Sequence, residues 1–228
     1  MTTISFARPI DRSVRIQSDG VLIEADWTMP IDPTGVVIFA QGSGSSRFSR
    51  RNRSVARRLY DQGLGSLLVD LLTPDEERED MLTAALRFDV SLLSDRLVGA
   101  ATWLKAEAET ASLPIGYLGT GVGAAAALHA AARRPDLVDA VVSRGGRPDL
   151  AGVALHKVTA PTLLIAGGAD ADGLALNRWA YRRLNCERYL EIIDGATHLF
   201  EERGALDAAN ALATEWFDAH LPSLQVFA

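Results

Sequence analysis

A chain of 228 residues with 48% apolar side chains can bury one sizeable core, so a single domain over residues 1–228 is expected. A net charge of −6 and a pI near 5.2 exclude nucleic acid as a bulk electrostatic partner. The single cysteine, Cys186, excludes an internal disulfide framework; the opening MTTISFARPIDRSVRIQSDG has no apolar run of signal-peptide length, and no apolar run reaches membrane-spanning length. A soluble, cytoplasmic protein with no membrane partner is the expectation.

In chain order, VRIQSDGVLIEADWTMP alternates on both sides of Ser18-Asp19-Gly20 and predicts a β-hairpin. GVVIFA reads as a buried strand, followed by QGSGSSRFSRRN and a helix from about Arg53 to Gln62 that Gly63 stops. The arginines at 47, 50, 51, 53, 57 and 58 read as the solvated start of that helix. SLLVDLL is the next buried strand, and Thr73-Pro74-Asp75 turns the chain away from it.

Leu82, Leu86, Phe88, Leu92, Leu93, Leu97 and Trp103 recur near the 3.6-residue period and predict one long helix over roughly 79–109. The strand IGYLG and an alanine-rich helix follow, closed by Arg133-Arg134-Pro135. Then come the strands DAVVS and TLLIAGG, a helix around 174–184, the strand RYLEII and a helix from about 205 to 220. Short, non-alternating runs of Val, Ile and Leu between helices predict an α/β fold, a doubly wound, mostly parallel sheet. The N-terminal hairpin would form its antiparallel edge.

The stretch IGYLGTGVGAAAALHAA, residues 115–131, breaks from strand into glycines and then into helix. Two devices have this shape: the G-x-S-x-G turn that presents a nucleophile, and the G-x-G-x-x-G/A turn that binds a dinucleotide. The dinucleotide turn usually sits on the first strand–helix unit, with an acid ending the next strand. Here two units precede it and the next strand ends in Ser143-Arg144, although an arginine could meet a 2′-phosphate. The nucleophile turn requires an acid and then a histidine after later strands. Asp170 follows TLLIAGG, and His198 follows RYLEII within GATHLF.

As a set, GSGSSRFSRRN, DLLTPDEE, RFDVSLLSDRL, PDLVDAVVSRGGRPDLAG and GATHLFEE resemble the α/β-hydrolase superfamily. Within it the chain is similar to the small, lid-poor hydrolases of the dienelactone-hydrolase type, nearly end to end. The resemblance implies an α/β-hydrolase fold, no cofactor and no catalytic metal, and a small ester or lactone as substrate. It places the nucleophile position at Gly121, the acid at Asp170 in preference to Asp172, and the base at His198. The oxyanion donors would be the backbone N–H of Val122 and one from Gly42 or Ser43.

Two departures from the family pattern stand out. Gly121 has no side chain with which to attack a carbonyl, and Gln41 occupies a position where the family commonly has histidine. Glycine suits a strained turn, so the fold should tolerate the change while covalent catalysis is lost. Three accounts stay open: an inactivated hydrolase, an enzyme in which His198 acts directly as base, or a binding protein that kept the pocket. Thr120 and Val122 flank the apex, and Ser43, Ser45 and Ser46 belong to the loop expected to form the oxyanion hole, but all are poor replacements for the missing serine.

Arg144 and Arg147, in VVSRGGR, read either as a solvated loop or a pairing with Asp149, or as a clamp for an anionic substrate. About 17 residues separate Ser143 from Pro161, too few for a large cap domain. His129, His156 and His220 read as helix or surface residues, and Cys186 as a small half-buried apolar residue. No His, Cys and acidic cluster has metal-ligand spacing.

Overall fold

The computed structural model describes residues 9–41 and 46–221. β1 (Ile10–Ser18) and β2 (Val21–Met29) form the hairpin, turned by Asp19 and Gly20 at φ of 47° and 79°. Positive φ at both central residues matches the right-handed twist of the strands they join. β2 then pairs antiparallel with β4 (Leu64–Val69). From there the sheet is parallel through β3 (Gly35–Ala40), β5 (Ile115–Gly121), β6 (Ala140–Gly146), β7 (Thr162–Gly167) and β8 (Arg188–Ile193). The strand order is β1-β2-β4-β3-β5-β6-β7-β8.

Every residue of β3, β4 and β7 is buried, as expected for strands covered on both faces. On one face, α1 (Arg50–Asp61) and α6 (Ala205–His220) pack Val55, Leu59, Ala209, Ala213 and Phe217 against Val37, Phe39 and Leu118. On the other, α3 (Val90–Ala106), α4 (Val122–Arg133) and α5 (Ala171–Tyr181) share a larger core with Ile38, Tyr117 and Val141.

The single helix predicted over 79–109 is two helices and a turn. α2 (Pro74–Thr83) begins at Thr73, where only a turn was expected. Thr73 Oγ1 accepts from the Glu76 N–H at 3.2 Å, and the Glu76 carboxylate accepts from the Thr73 N–H at 2.7 Å. This reciprocal cap starts a helix where Pro74 can occupy its first turn. Ala84, at φ 54°, ends it. A 3₁₀ turn, Leu86–Phe88, leads to Asp89, whose side chain accepts from Leu92 N–H and starts α3 afresh.

The apolar period misled because its first members are not core. Met81, Leu82 and Phe88 are exposed, Leu82 by 89%. A second difference is that β6 continues to Gly146, which puts Arg144 inside the strand. Between β6 and β7 lies a 3₁₀ segment, Pro148–Lys157, so no large cap covers the sheet edge there.

Candidate active site

β5 ends in a sharp turn. Gly121 has φ 54° and ψ −130°, and α4 starts at the next residue. A residue with a side chain would store on the order of 1–3 kcal/mol of strain in so sparsely populated a conformation. The neighbouring glycines are required by contact: a Cβ on Gly119 would overlap the backbone of Ala124, and one on Gly123 the backbone of Ala40. This is the geometry of a strand-to-helix turn that lifts its central residue above the sheet. The register between β5 and β6 shifts between Thr120 and Gly121, and the Arg147 N–H donates to the Gly121 carbonyl at 2.8 Å.

Asp170 follows β7 and caps α5. One carboxylate oxygen accepts from the Gly173 N–H at 3.0 Å, and the other lies 3.6 Å from His198 Nδ1. Gly173 has to be glycine for this, since a Cβ there would overlap the Asp170 carboxylate. The carboxylate–imidazole separation exceeds a hydrogen bond, and such pairs often tighten only when substrate is bound. Asp172 is exposed in the first turn of α5, and it is Asp170 that the structure pairs with His198.

His198 sits on the loop after β8, its side chain 59% exposed. The loop is anchored by buried Ala196 and Phe200, and the Ala169 N–H donates to the Ala196 carbonyl at 2.9 Å. Gly121, Asp170 and His198 all line one open cavity of about 600 Å³ at the carboxyl edge of the sheet. Ligands of open α/β sheets bind at that edge.

The remaining predicted site residues divide. Val122 lines the cavity at the first position of α4, where a helix leaves its N–H groups without intrahelical partners. Gly42 and Ser43 lie outside the described residues. Arg144 lines the cavity, but as a buried side chain of β6 rather than a solvated loop residue. Arg147 also lines it and is held in a two-pronged pair with Asp149, both distances 2.8 Å. Gln41 is not on the cavity wall; its Nε2 reaches the Val69 carbonyl at 3.5 Å and its Oε1 accepts from Asn52.

Sequence reasoning missed three residues of the site region. Asn52 and Arg51 on α1 line the cavity, and Asn210 on α6 lies behind it, bonded to Arg144. The available signal was an asparagine in phase with Val55 and Leu59 on the inward face of α1, and another among the alanines of α6. Buried polar side chains of that kind need partners.

The other histidines lie away from the cavity. Burial lowers the His129 pKa, helped by the Arg133 charge, while His220 closes α6 with a ring nitrogen 2.8 Å from the Trp216 carbonyl. Burial also raises the Cys186 thiol, against a weak contact with Thr162. Among the described residues no group of three or more His, Cys, Asp or Glu side chains could hold a metal ion. No helix there is long and apolar enough to cross a membrane.

A mostly parallel eight-stranded sheet, a nucleophile-type turn after its central strand, an acid after β7 and a histidine after β8 define an α/β-hydrolase-fold protein. The chain belongs to the dienelactone hydrolase family, whose model matches residues 19–224. It is similar to a solved dienelactone hydrolase from Anabaena variabilis, with 51% identity, a TM-score of 0.91, and 93% of this chain and 99% of that one covered. Est1E from Butyrivibrio proteoclasticus shares the fold at 15% identity and TM-score 0.73, covering 91% of this chain and 98% of its own.

A Mycobacterium tuberculosis protein named "Putative phosphoribosyl transferase" is 50% identical over 211 residues, covering 92% of this chain and 47% of that protein. The chain therefore spans about half the length of that curated relative.

Proposed function

We propose that this chain carries the site of a dienelactone-hydrolase-type ester or lactone hydrolase whose acid–base pair is assembled and whose nucleophile is missing. The observation that carries the reading is the shared cavity of Gly121, Asp170 and His198, with a bare backbone at the apex where the attacking oxygen belongs. In a complete site His198 would take the proton of the attacking hydroxyl while Asp170 steadied the imidazole. The N–H of Val122, with one from Gly42 or Ser43, would receive the oxyanion.

Losing a triad nucleophile costs about six orders of magnitude in rate and leaves roughly 10³–10⁴ over water from the remaining site. The chain as it stands is therefore a strongly impaired hydrolase. The exposure of His198 to solvent favours a second reading, in which it activates water directly as a general base. The transferase named for the Mycobacterium tuberculosis relative belongs to a protein about twice as long, and the present reading rests on the family and the cavity. A reducing cytoplasm suits the single, half-buried Cys186.

The test is hydrolysis of a short activated ester by the chain as given, Gly121→Ser, and Gly121→Ser with His198→Ala. Turnover rising by several orders of magnitude with the serine, and vanishing with the alanine, is expected. A serine variant inert toward a range of esters and lactones would overturn the reading. Residual activity of the unaltered chain that disappears with His198→Ala alone would favour the water-activating base.

A further inference from the structure

The strand pairings divide at the edge of the sheet where the candidate site lies. β5 and β6 stay paired to their ends, with Gly121 opposite Gly146. β7 and β8 likewise stay paired as far as Gly167 and Ile193. Between these halves, β6 and β7 pair only from Val141–Thr162 to Arg144–Ile165. The apex of the turn therefore stands on one half, and the loops that carry Asp170 and His198 stand on the other.

Each half is tied within itself. On the apex side the Arg147 N–H donates to the Gly121 carbonyl at 2.8 Å. On the other side the Gly168 N–H donates to the Ile193 carbonyl and the Ala169 N–H to the Ala196 carbonyl, both at 2.9 Å. These bonds join the acid and histidine loops to each other without fixing their distance from the apex. Across the gap the His198 carbonyl packs over Gly145, which limits how closely the halves approach and leaves their registration to directional bonds.

Asn177 makes such a bond. It projects from α5 and is 2% exposed. Its Nδ2 donates to the Gly146 carbonyl at 3.3 Å and to the Gly173 carbonyl at 2.8 Å. Both neighbours are acceptors, so the amide nitrogen has to face them, and both of its hydrogens are used. Gly146 is the register partner of Gly121, and Gly173 donates its own N–H to Asp170 at 3.0 Å. One buried amide thus connects the apex strand to the residue that holds the acid.

We propose that Asn177 is a positioning residue: by bridging the divided sheet edge it sets the distance between the apex at Gly121 and the Asp170–His198 pair. This deepens the hydrolase reading, on which its consequence for catalysis rests. A base must come within about 2.6–3.2 Å of the group whose proton it takes, and a misplacement of about 1 Å costs ~10²-fold in rate. Asn177 is not on the cavity wall and acts through Gly146, Gly173 and Asp170.

Two variants test it. Asn177→Thr keeps a bond within α5, because a threonine hydroxyl returns to the carbonyl four residues back, but it is too short to reach Gly146 as well. Asn177→Leu keeps the volume and makes neither bond. In the Gly121→Ser protein each should lower kcat at least ~10-fold with little change in KM. Where Asp170→Asn is already present, Asn177→Thr should lower kcat no further, because its effect runs through that carboxylate. Crystal structures of the unaltered chain and of its Asn177→Thr variant should differ by more than about 0.5 Å in the Gly121–Asp170 Cα separation.

Unchanged kcat in both variants would overturn the proposal, as would losses fully additive with Asp170→Asn, the mark of a general loosening. An unchanged Gly121–Asp170 separation would overturn it too. The two readings fail separately. An inert Gly121→Ser variant would remove the hydrolase reading, and the crystallographic separation would then decide whether Asn177 holds the edge together.

Discussion

At the scale of single residues, the candidate site depends on where side chains are absent. Gly145, at the end of β6, has φ 54°, and a Cβ there would overlap the His198 carbonyl and meet the Phe200 ring. Gly167, ending β7, is covered in the same way by the carbonyls of Ala196 and Thr197. The histidine loop therefore lies directly on two strand ends. Gly145→Ala, introduced into the Gly121→Ser variant, should push His198 off its position and lower kcat by about 10²-fold with little change in KM. Steady-state ester hydrolysis measures it, and an unchanged kcat would show the loop to be indifferent to the strand beneath it.

Gly121, Asp170 and His198 were legible in the sequence because strand-ending motifs locate them without any knowledge of packing. Arg51, Asn52 and Asn210 were not, since nothing in a helical sequence says which two helices will meet over which strand.

At the scale of elements, the segment 73–106 shows local chemistry overriding periodicity. α2 buries little and is held at its ends, by the Thr73–Glu76 cap and by Asp80. Asp80 accepts from the Arg87 N–H at 2.9 Å and from its Nε at 2.6 Å, which ties the helix end to the following turn. Thr73→Ala should cost about 1 kcal/mol in urea unfolding.

Burial pushes the Asp80 carboxyl up, but the Arg87 hydrogen bonds and charge outweigh it and hold its pKa below the ordinary value. A carboxyl lowered in the folded state stabilises above its unfolded pKa and loses that contribution as pH falls through the folded one. Unfolding free energy followed from pH 7 downward should therefore decline through the acidic range, and Asp80→Asn should remove part of that decline. Identical pH profiles for the two proteins would contradict the role given to Asp80. The caps are written in short motifs, so this break was legible in principle; the apolar residues exposed on α2 masked it.

At the scale of the whole molecule, the sheet separates two cores, and α6 closes the smaller one. Phe217 of α6 is fully buried against the sheet face that carries Val37, Phe39 and Leu118. Phe217→Ala should destabilise the fold by about 3–5 kcal/mol, because the surrounding strands cannot collapse into the space left behind. α6 also carries Asn210, so loosening it should weaken the support of Arg144. Equilibrium unfolding in urea measures the loss of stability. A loss under 1 kcal/mol would mean that α6 is not integral to the core.

The sequence by itself determined the fold class, the antiparallel hairpin on a parallel sheet, and the order of turn, acid and histidine along the chain. Those follow from local signals: unbroken apolar runs, glycines that only a tight turn requires, and residues placed at strand ends. Tertiary structure alone decided that Arg144 is a buried cation held by two asparagines, and that Arg147 is spent on Asp149. It also kept Gln41 off the cavity wall. The physical reason is that Asn52 and Asn210 lie 92 and 66 residues from Arg144 along the chain. Burial and pairing at such separations are set by how helices seat on the sheet, and no short stretch of sequence encodes that seating.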